Sequence, residues 1–229
     1  MEQNSTKTKM IRKQIIIRGI LAFLVLCLAF FLPARTLKYW EAWGYIAIIF
    51  ICATGTITYF LKHDPDLLQR RMRTREKVRE QKLLIKLGWL LFLPIFLVPG
   101  FDYYYGWSDI QVPVIIVGDF FVLAGYLIVI RVFRENSYTS RIVEVDPGQK
   151  VISTGPYSIV RHPMYSGILL MYGFTPLALG SYWALAGSGI LIVIIILRIL
   201  SEEKFLSGNL EGYKEYMTKT RYRLVPRIW

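Results

Sequence analysis

The chain has 229 residues, of which 54% are hydrophobic, and its 28 Lys and Arg against 16 Asp and Glu give a formal net charge of +12. The apolar share is too high for an ordinary soluble domain and collects in long blocks, so the composition favours a membrane protein. The two cysteines, Cys27 and Cys52, both lie inside apolar blocks, which excludes a disulfide scaffold and a cysteine-based metal site.

Four apolar segments are long enough for helices that cross a hydrocarbon core of roughly 30 Å, which takes about 20 residues. They are residues 15–33, 43–61, 83–99 and 112–130. A fifth apolar region, 167–200, is interrupted near its middle, which predicts a helical hairpin whose arms of about 16 residues reach only about 24 Å. We therefore predict an all-α, polytopic integral membrane helical bundle with four spans and a C-terminal hairpin, five to six membrane segments in all.

The Lys and Arg residues predict the orientation of the spans, because short positively charged loops stay on the cytosolic side of a membrane. Of the 28, 23 lie in four segments: residues 1–14, 62–82, 131–165 and 201–229. We therefore predict that both termini and these loops are cytosolic. Aromatic clusters mark the opposite ends of the spans, where such rings favour the headgroup region: residues 39–43, 103–107 and 182–183.

The basic loop 62–82 begins with a signal for a helix start. Asp64 can cap a helix and Pro65 suits its first turn, so residues 67–73 are predicted to form a short interfacial helix. Its arginines would attract anionic membrane lipids at roughly 1 kcal/mol each, or they serve only to fix the topology. Nucleic acid is not an expected partner, because the positive charge is divided among short loops without a reading motif.

Asp119 lies in the middle of the fourth predicted span, where an ionisable side chain is costly. A functional position in the bundle interior and a structural pairing with another helix account for it equally well. A non-enzymatic transporter or channel organised around Asp119 is therefore one alternative for the whole chain.

The most informative stretch precedes the hairpin and reads Gly155-x-Tyr157 followed by Arg161-His162-Pro163-x-Tyr165-x-Gly167. Because a proline restricts the preceding residue to an extended backbone, this stretch favours a turn that presents side chains rather than a helix end. After the hairpin come Arg198-x-x-x-Glu202-Glu203-x-x-Leu206 and Tyr213-x-x-Tyr216. Taken alone, Arg198 and Glu202 at a spacing of four would be an ordinary ion pair on a helix surface.

In order and spacing, these motifs resemble the C-terminal signature of the isoprenylcysteine carboxyl methyltransferase family and the related phospholipid methyltransferases, over residues 148–226. The resemblance implies a membrane methyltransferase that uses S-adenosyl-L-methionine and acts on a lipophilic acceptor entering from the bilayer. Residues 1–130 would form N-terminal membrane helices, and residues 131–229 would form the catalytic region. The cofactor would lie in a cytosolic pocket covered by the C-terminal segment.

The resemblance also assigns individual residues by position. Arg198 matches a position implicated in substrate binding, and Glu202 matches an acidic contact to the cofactor, so both are predicted to act in catalysis. No metal is expected. The positions that match cofactor contacts are Val151, Ile152, Tyr157, His162, Pro163, Met164, Tyr165 and Glu202.

The leading hypothesis is carboxyl O-methylation of an isoprenylcysteine-like substrate. A carboxylate could be held by Arg198 through charge-assisted hydrogen bonds and needs no general base. N-methylation of a phospholipid headgroup is an alternative, in which an amine must lose a proton and Glu202 or Glu203 would be the base. A membrane reductase of the sterol-reductase type, with a nicotinamide cofactor, is a further alternative.

Overall fold

The computed structural model describes residues 2–73, 76 and 79–229, with side chains for 11–73, 76, 81–83, 85 and 93–229. This part of the chain is helical and contains no strand. Its helices are α1 Glu2–Ala34, α2 Trp40–His63, α3 Pro65–Arg71, α4 Arg79–Tyr105, α5 Val112–Glu135, α6 Pro163–Ala178, α7 Leu185–Asn209 and α8 Tyr213–Lys219, with a 3-10 turn at Gly155–Ser158.

Within the described residues, four helices are long and apolar enough to cross a membrane: Ile11–Ala34, Trp40–His63, Val112–Glu135 and Leu185–Asn209. The predicted all-α membrane bundle is thereby confirmed. The first three contain predicted spans, and the fourth is the second arm of the hairpin. The predicted span 83–99 falls inside α4, and eight of its 17 side chains lie outside the described residues.

The hairpin differs from the prediction in its second arm. Helix α6 has 16 residues, as expected, but α7 has 25 and reaches about 38 Å. The expectation of two short arms was wrong for α7 because the helix continues past the apolar run as far as Asn209. Backbone hydrogen bonds sustain a helix whether or not its side chains are apolar.

The start of α6 also corrects a prediction. Pro163 is the first residue of this helix and His162 is its N-cap, with φ −123° and ψ 59°. The expectation of a turn rather than a helix end was therefore wrong. Proline is tolerated at the first helical position because that amide has no partner within the helix.

Helices α5 and α6 approach each other through glycines, as membrane helices do where small residues let the backbones come close. A Cβ added to Gly125 would lie 2.6 Å from the carbonyl oxygen of Gly167 and 2.6 Å from the amide nitrogen of Met171. A Cβ added to Gly118 would lie 2.5 Å from the amide nitrogen of Ala178. These contacts fix α6 against α5 along its whole length.

The predicted aromatic clusters lie together at one end of the bundle. The rings of Tyr39 and Tyr103 are 4.5 Å apart, and those of Trp107 and Trp183 are 6.4 Å apart. Buried Asp102 ties the same loops together by accepting a hydrogen bond from the Ser181 hydroxyl. This end is opposite the start of α6.

The side chain of Asp119, in the middle of α5, lies against α2. Its Oδ2 lies 3.8 Å from the place that a Cβ on Gly44 would occupy. Its Oδ1 is buried, and the described residues provide no hydrogen-bond partner for it. Asp119 therefore packs against α2 without a polar partner among the described residues, and both the functional and the structural account of it stay predictions.

Helix α3 begins as predicted, since the amide of Leu67 donates to Oδ1 of Asp64 over 3.0 Å. Its arginines do more than carry charge. Arg70 and the nearby Arg73 bind Asp146 at 2.9 and 3.1 Å. Burial raises the pKa of Asp146, but these two hydrogen bonds outweigh it and hold the pKa below its ordinary value. Residues 74, 75, 77 and 78 of the predicted basic loop lie outside the described residues.

The packing of α5 on α6 predicts that Gly125→Ala destabilises the protein. The added methyl group meets backbone atoms that cannot move independently, so we expect a loss of about 1–3 kcal/mol, seen as a lower unfolding midpoint in detergent. The matched control is Gly55→Ala in α2, where a Cβ has no neighbour within 4 Å. An unchanged midpoint for Gly125→Ala would contradict this account of the interface.

Candidate active site

A cavity of about 120 Å³ lies at the end of the bundle where α6 begins. Its walls come from residues 136–165, from the last turns of α7 and from α8. The residues that the family resemblance assigned to the site all line this cavity: Val151, Ile152, Tyr157, His162, Pro163, Met164, Tyr165, Arg198 and Glu202.

Arg198 and Glu202 meet at the hydroxyl group of Tyr165. The Nε of Arg198 donates to this hydroxyl over 2.7 Å, and the hydroxyl donates to Oε2 of Glu202 over 2.7 Å. The tyrosine lies on α6, so the chain of hydrogen bonds connects α6 to α7. The ordinary surface ion pair considered from the sequence is replaced by a bridge through a buried hydroxyl.

The neighbouring Glu203 has a different environment and is buried. Its Oε1 accepts from Nε of Arg161 at 2.7 Å and lies 3.3 Å from Nε2 of His162. Its Oε2 accepts from Nε of Arg223 at 2.9 Å. This carboxylate is therefore committed to binding three side chains, which corrects its candidacy as a general base.

The segment after α8 is fixed across the start of α6. Nη1 of Arg161 donates to the carbonyl oxygens of Thr220 and Arg221 at 2.8 and 2.7 Å. The backbone amides of Arg161 and His162 donate to the carbonyl oxygens of Tyr222 and Arg223 at 2.8 and 2.9 Å. Arg161 of the predicted motif therefore both lines the cavity and binds the C-terminal segment.

Tyrosines form one wall of the cavity. The hydroxyl of Tyr157 accepts from Nδ2 of Asn136 at 3.0 Å, and its carbonyl oxygen accepts from the hydroxyl of Tyr216 at 2.7 Å. The hydroxyl of Tyr213 is buried, and the described part of the chain gives it no hydrogen-bond partner. Burial raises the pKa of Tyr157 and of Tyr213, so both stay neutral. The unpartnered hydroxyl points to a polar ligand, since buried polar groups are rarely left unsatisfied.

The cavity also contains residues that the sequence did not single out. Tyr213 and Tyr216 were noted only as part of a motif, yet both line the wall. Asn136 and the residues of the segment 138–144 other than Arg141 line it too, and no pattern in the sequence distinguishes them from an ordinary loop. Only their position between α5 and the Gly155–Ser158 turn brings them to the site.

The fold and the site together define an integral membrane protein with a polar, tyrosine-walled cavity at one end of its helix bundle. Residues 113–211 match the model of the family described as phospholipid methyltransferase. The chain therefore carries a domain of this group of membrane methyltransferases, which runs from α5 to the link before α8. No curated protein matches the chain. The family resemblance predicted from the motifs is confirmed, and the family indicates a methyltransferase.

Glu203 leads to a prediction about the C-terminal segment. Replacing Glu203 by Gln leaves the buried guanidinium of Arg161 and the half-buried one of Arg223 without their counter-ion, and breaking a buried ion pair costs about 3–5 kcal/mol. We expect faster hydrogen exchange at the backbone amides of Arg161 and His162, measured by mass spectrometry. Glu215→Gln is the control, because Glu215 forms only an exposed ion pair with Lys219. Unchanged exchange in Glu203→Gln would show that Glu203 does not hold the segment.

Proposed function

We propose that the protein transfers a methyl group from S-adenosyl-L-methionine to a lipophilic acceptor, and that the acceptor group is a carboxylate, as in an isoprenylcysteine. The observation that carries this proposal is the chain of hydrogen bonds from Arg198 through the Tyr165 hydroxyl to Glu202. It puts a cation and a carboxylate on the two sides of one hydroxyl in the wall of the cavity.

The cavity fits a sulfonium nucleoside in three respects. Val151, Ile152 and neighbouring leucines offer apolar surface for a base. Aromatic faces attract a cation, and several tyrosines supply them. Glu202 and the unpartnered hydroxyl of Tyr213 offer partners for the polar groups of a nucleoside or an amino acid. When bound, S-adenosyl-L-methionine supplies a methyl group on a positively charged sulfur.

The protein's own contribution is to align the two reactants and exclude water. Arg198 is fixed by Tyr165 and by the carbonyl oxygen of Arg141, which lies 3.0 Å from its Nη2. A guanidinium held in this way can orient a carboxylate through charge-assisted hydrogen bonds. Alignment of nucleophile, methyl and leaving group is then the main source of rate, and a carboxylate acceptor needs no proton removed.

N-methylation of a phospholipid headgroup is the second candidate, and the description of the matched family favours it. An amine acceptor requires a base that can reach the cavity. Glu203 is committed to Arg161, His162 and Arg223, so this function would depend on Glu202. Since Glu202 already accepts a hydrogen bond from Tyr165, we favour the carboxylate.

The orientation proposed for the site is cytosolic. The support is the distribution of Lys and Arg, which concentrates in the segments at the cavity's end of the bundle. The same distribution supports contact with anionic membrane lipids at α3.

Cofactor binding tests the assignment of roles. We expect calorimetry to detect binding of S-adenosylhomocysteine to the purified protein and no binding of a nicotinamide nucleotide. Glu202→Gln should weaken this binding by at least about tenfold, the worth of a hydrogen bond to a charged group. Arg198→Gln should leave it nearly unchanged but abolish methyl transfer to N-acetyl-S-farnesylcysteine.

The control for these variants is Glu211→Gln, since Glu211 lies on the exposed link between α7 and α8. Failure of the unaltered protein to bind S-adenosylhomocysteine would refute the methyltransferase proposal. Equal loss of binding in Glu202→Gln and Arg198→Gln would refute the division of roles.

Cysteine labelling tests the orientation. Cys27 and Cys52 are first replaced by Ser, and single cysteines are introduced as Tyr105→Cys and Lys219→Cys at two exposed positions at opposite ends of the bundle. In sealed cells, a membrane-impermeant maleimide should label position 105 and should reach position 219 only after lysis. Labelling of position 219 in sealed cells would reverse the proposed orientation.

A further inference from the structure

One wall of the cavity is a segment that is neither helix nor strand, residues 136–148, here called the wall segment. Thr139, Ile142 and Val143 of this segment are buried and line the cavity. At about 120 Å³, the cavity is smaller than the roughly 300–1,000 Å³ of small-molecule sites. A wall must therefore move before a molecule as large as a nucleoside can enter.

The two ends of the wall segment suit such a movement. One end is Asn136, the C-cap of α5. The other end is Gly148, which has φ +75° and where an added Cβ would have no neighbour within 4 Å. Hinges in proteins are a few positions of this kind, in loops or at the ends of helices.

Arginines of α3 hold the backbone of the wall segment in place. Nη1 of Arg70 donates to the carbonyl oxygen of Ser137 over 2.9 Å, and Nη1 of Arg71 donates to that of Ser140 over 2.8 Å. A segment outside helices and strands has no ladder of backbone hydrogen bonds to fix it. Its position therefore depends on side chains that come from α3.

The other attachments are ion pairs that solvent reaches. Arg73 binds Glu144 and Asp146, and Arg70 also binds Asp146. The side chain of Arg73 is 39% exposed, whereas that of Glu203, which holds the C-terminal segment, is 6% exposed. Ion pairs in contact with water contribute little to stability, because water competes for both charges. The wall segment is therefore held less strongly than the C-terminal segment.

The position of the wall segment also affects a residue of the proposed reaction. Nη2 of Arg198 donates to the carbonyl oxygen of Arg141, which belongs to the wall segment. Movement of the segment would remove this acceptor, and its return would restore the orientation of the Arg198 guanidinium. Closure of the cavity and alignment of Arg198 are thus one event.

We propose that the wall segment is a gate for the cofactor, and that Arg70 and Arg73 hold this gate closed through Glu144 and Asp146. The inference rests on the proposed function and adds how S-adenosyl-L-methionine enters the cavity and how its product leaves. Neither arginine lines the cavity, so both are positioning residues. When their ion pairs break, the segment is released and the cavity widens. When the pairs form again, the cofactor is enclosed and Arg198 is fixed.

The rates of S-adenosylhomocysteine binding test the proposal, measured on the full chain in detergent by surface plasmon resonance. Asp146→Asn breaks the ion pairs to both arginines and should open the gate more often. We expect the association and dissociation rate constants to rise together, each by about threefold to tenfold, while the affinity changes less than either. Damage to the binding surface alone would raise only the dissociation rate constant.

Arg73→Gln should act in the same direction, whereas Arg73→Lys, which keeps the charge, should leave both rate constants within about twofold of the unaltered protein. Salt provides a test without substitution, because it screens exposed charges. Raising sodium chloride from about 0.05 M to about 0.5 M should increase both rate constants of the unaltered protein and those of Asp146→Asn much less.

Glu215→Gln is the matched control, because it removes another exposed ion pair, with Lys219, that lies outside the wall segment. Unchanged rate constants in Asp146→Asn and Arg73→Gln would overturn the proposal, and so would a rise in dissociation alone. Failure of the unaltered protein to bind S-adenosylhomocysteine refutes the proposed function. Binding whose rates respond neither to these variants nor to salt refutes only this inference.

Discussion

The geometry of the site depends on one buried carboxylate, that of Glu203. It binds Arg161 and His162 at the start of α6 and Arg223 in the C-terminal segment, so three separate parts of the chain meet at two oxygen atoms. The cost of burying these charges is recovered only while all partners are in place. This requirement gives the region a single arrangement. In that arrangement α7 presents Glu202, the residue before Glu203, to the cavity.

The second constraint is the distance between α5 and α6. Gly125 and Gly167 let the two backbones touch, and α6 carries Tyr165 two residues before Gly167. The glycine of the motif therefore serves the site indirectly: it sets the depth at which the Tyr165 hydroxyl lies between Arg198 and Glu202. A larger residue at Gly167 would displace the hydroxyl together with the helix that carries it.

The sequence was sufficient to predict the class of fold, because apolar blocks of membrane length and the placement of Lys and Arg are local signals. It was also sufficient to name residues that line one cavity. Motifs that resemble a family's signature in order and spacing predict which distant residues the fold brings together. The role of Glu203 was not predictable, because adjacent glutamates on a helix look equivalent until the partners on other helices are known.

Two further features could not have been predicted for related reasons. The extent of α7 was underestimated because hydropathy reports where the apolar residues end and not where the helix ends. The contact of Arg71 with the cavity wall depends on Ser140, 69 positions away in the chain, which no local pattern links to α3. From the sequence, the arginine-rich segment therefore indicated only a topology signal or a surface for anionic lipids.

The short length of α6 affects how the proposed lipophilic acceptor would reach the site from the bilayer. A helix of 16 residues covers about 24 Å, so it ends about 6 Å short of crossing a core of roughly 30 Å. We infer that, with the aromatic cluster at the headgroup level that such rings favour, the first turn of α6 lies inside the hydrocarbon core. The proposed acceptor could thus diffuse in two dimensions and reach Tyr165 by a short vertical excursion, with its hydrocarbon chain still in the bilayer.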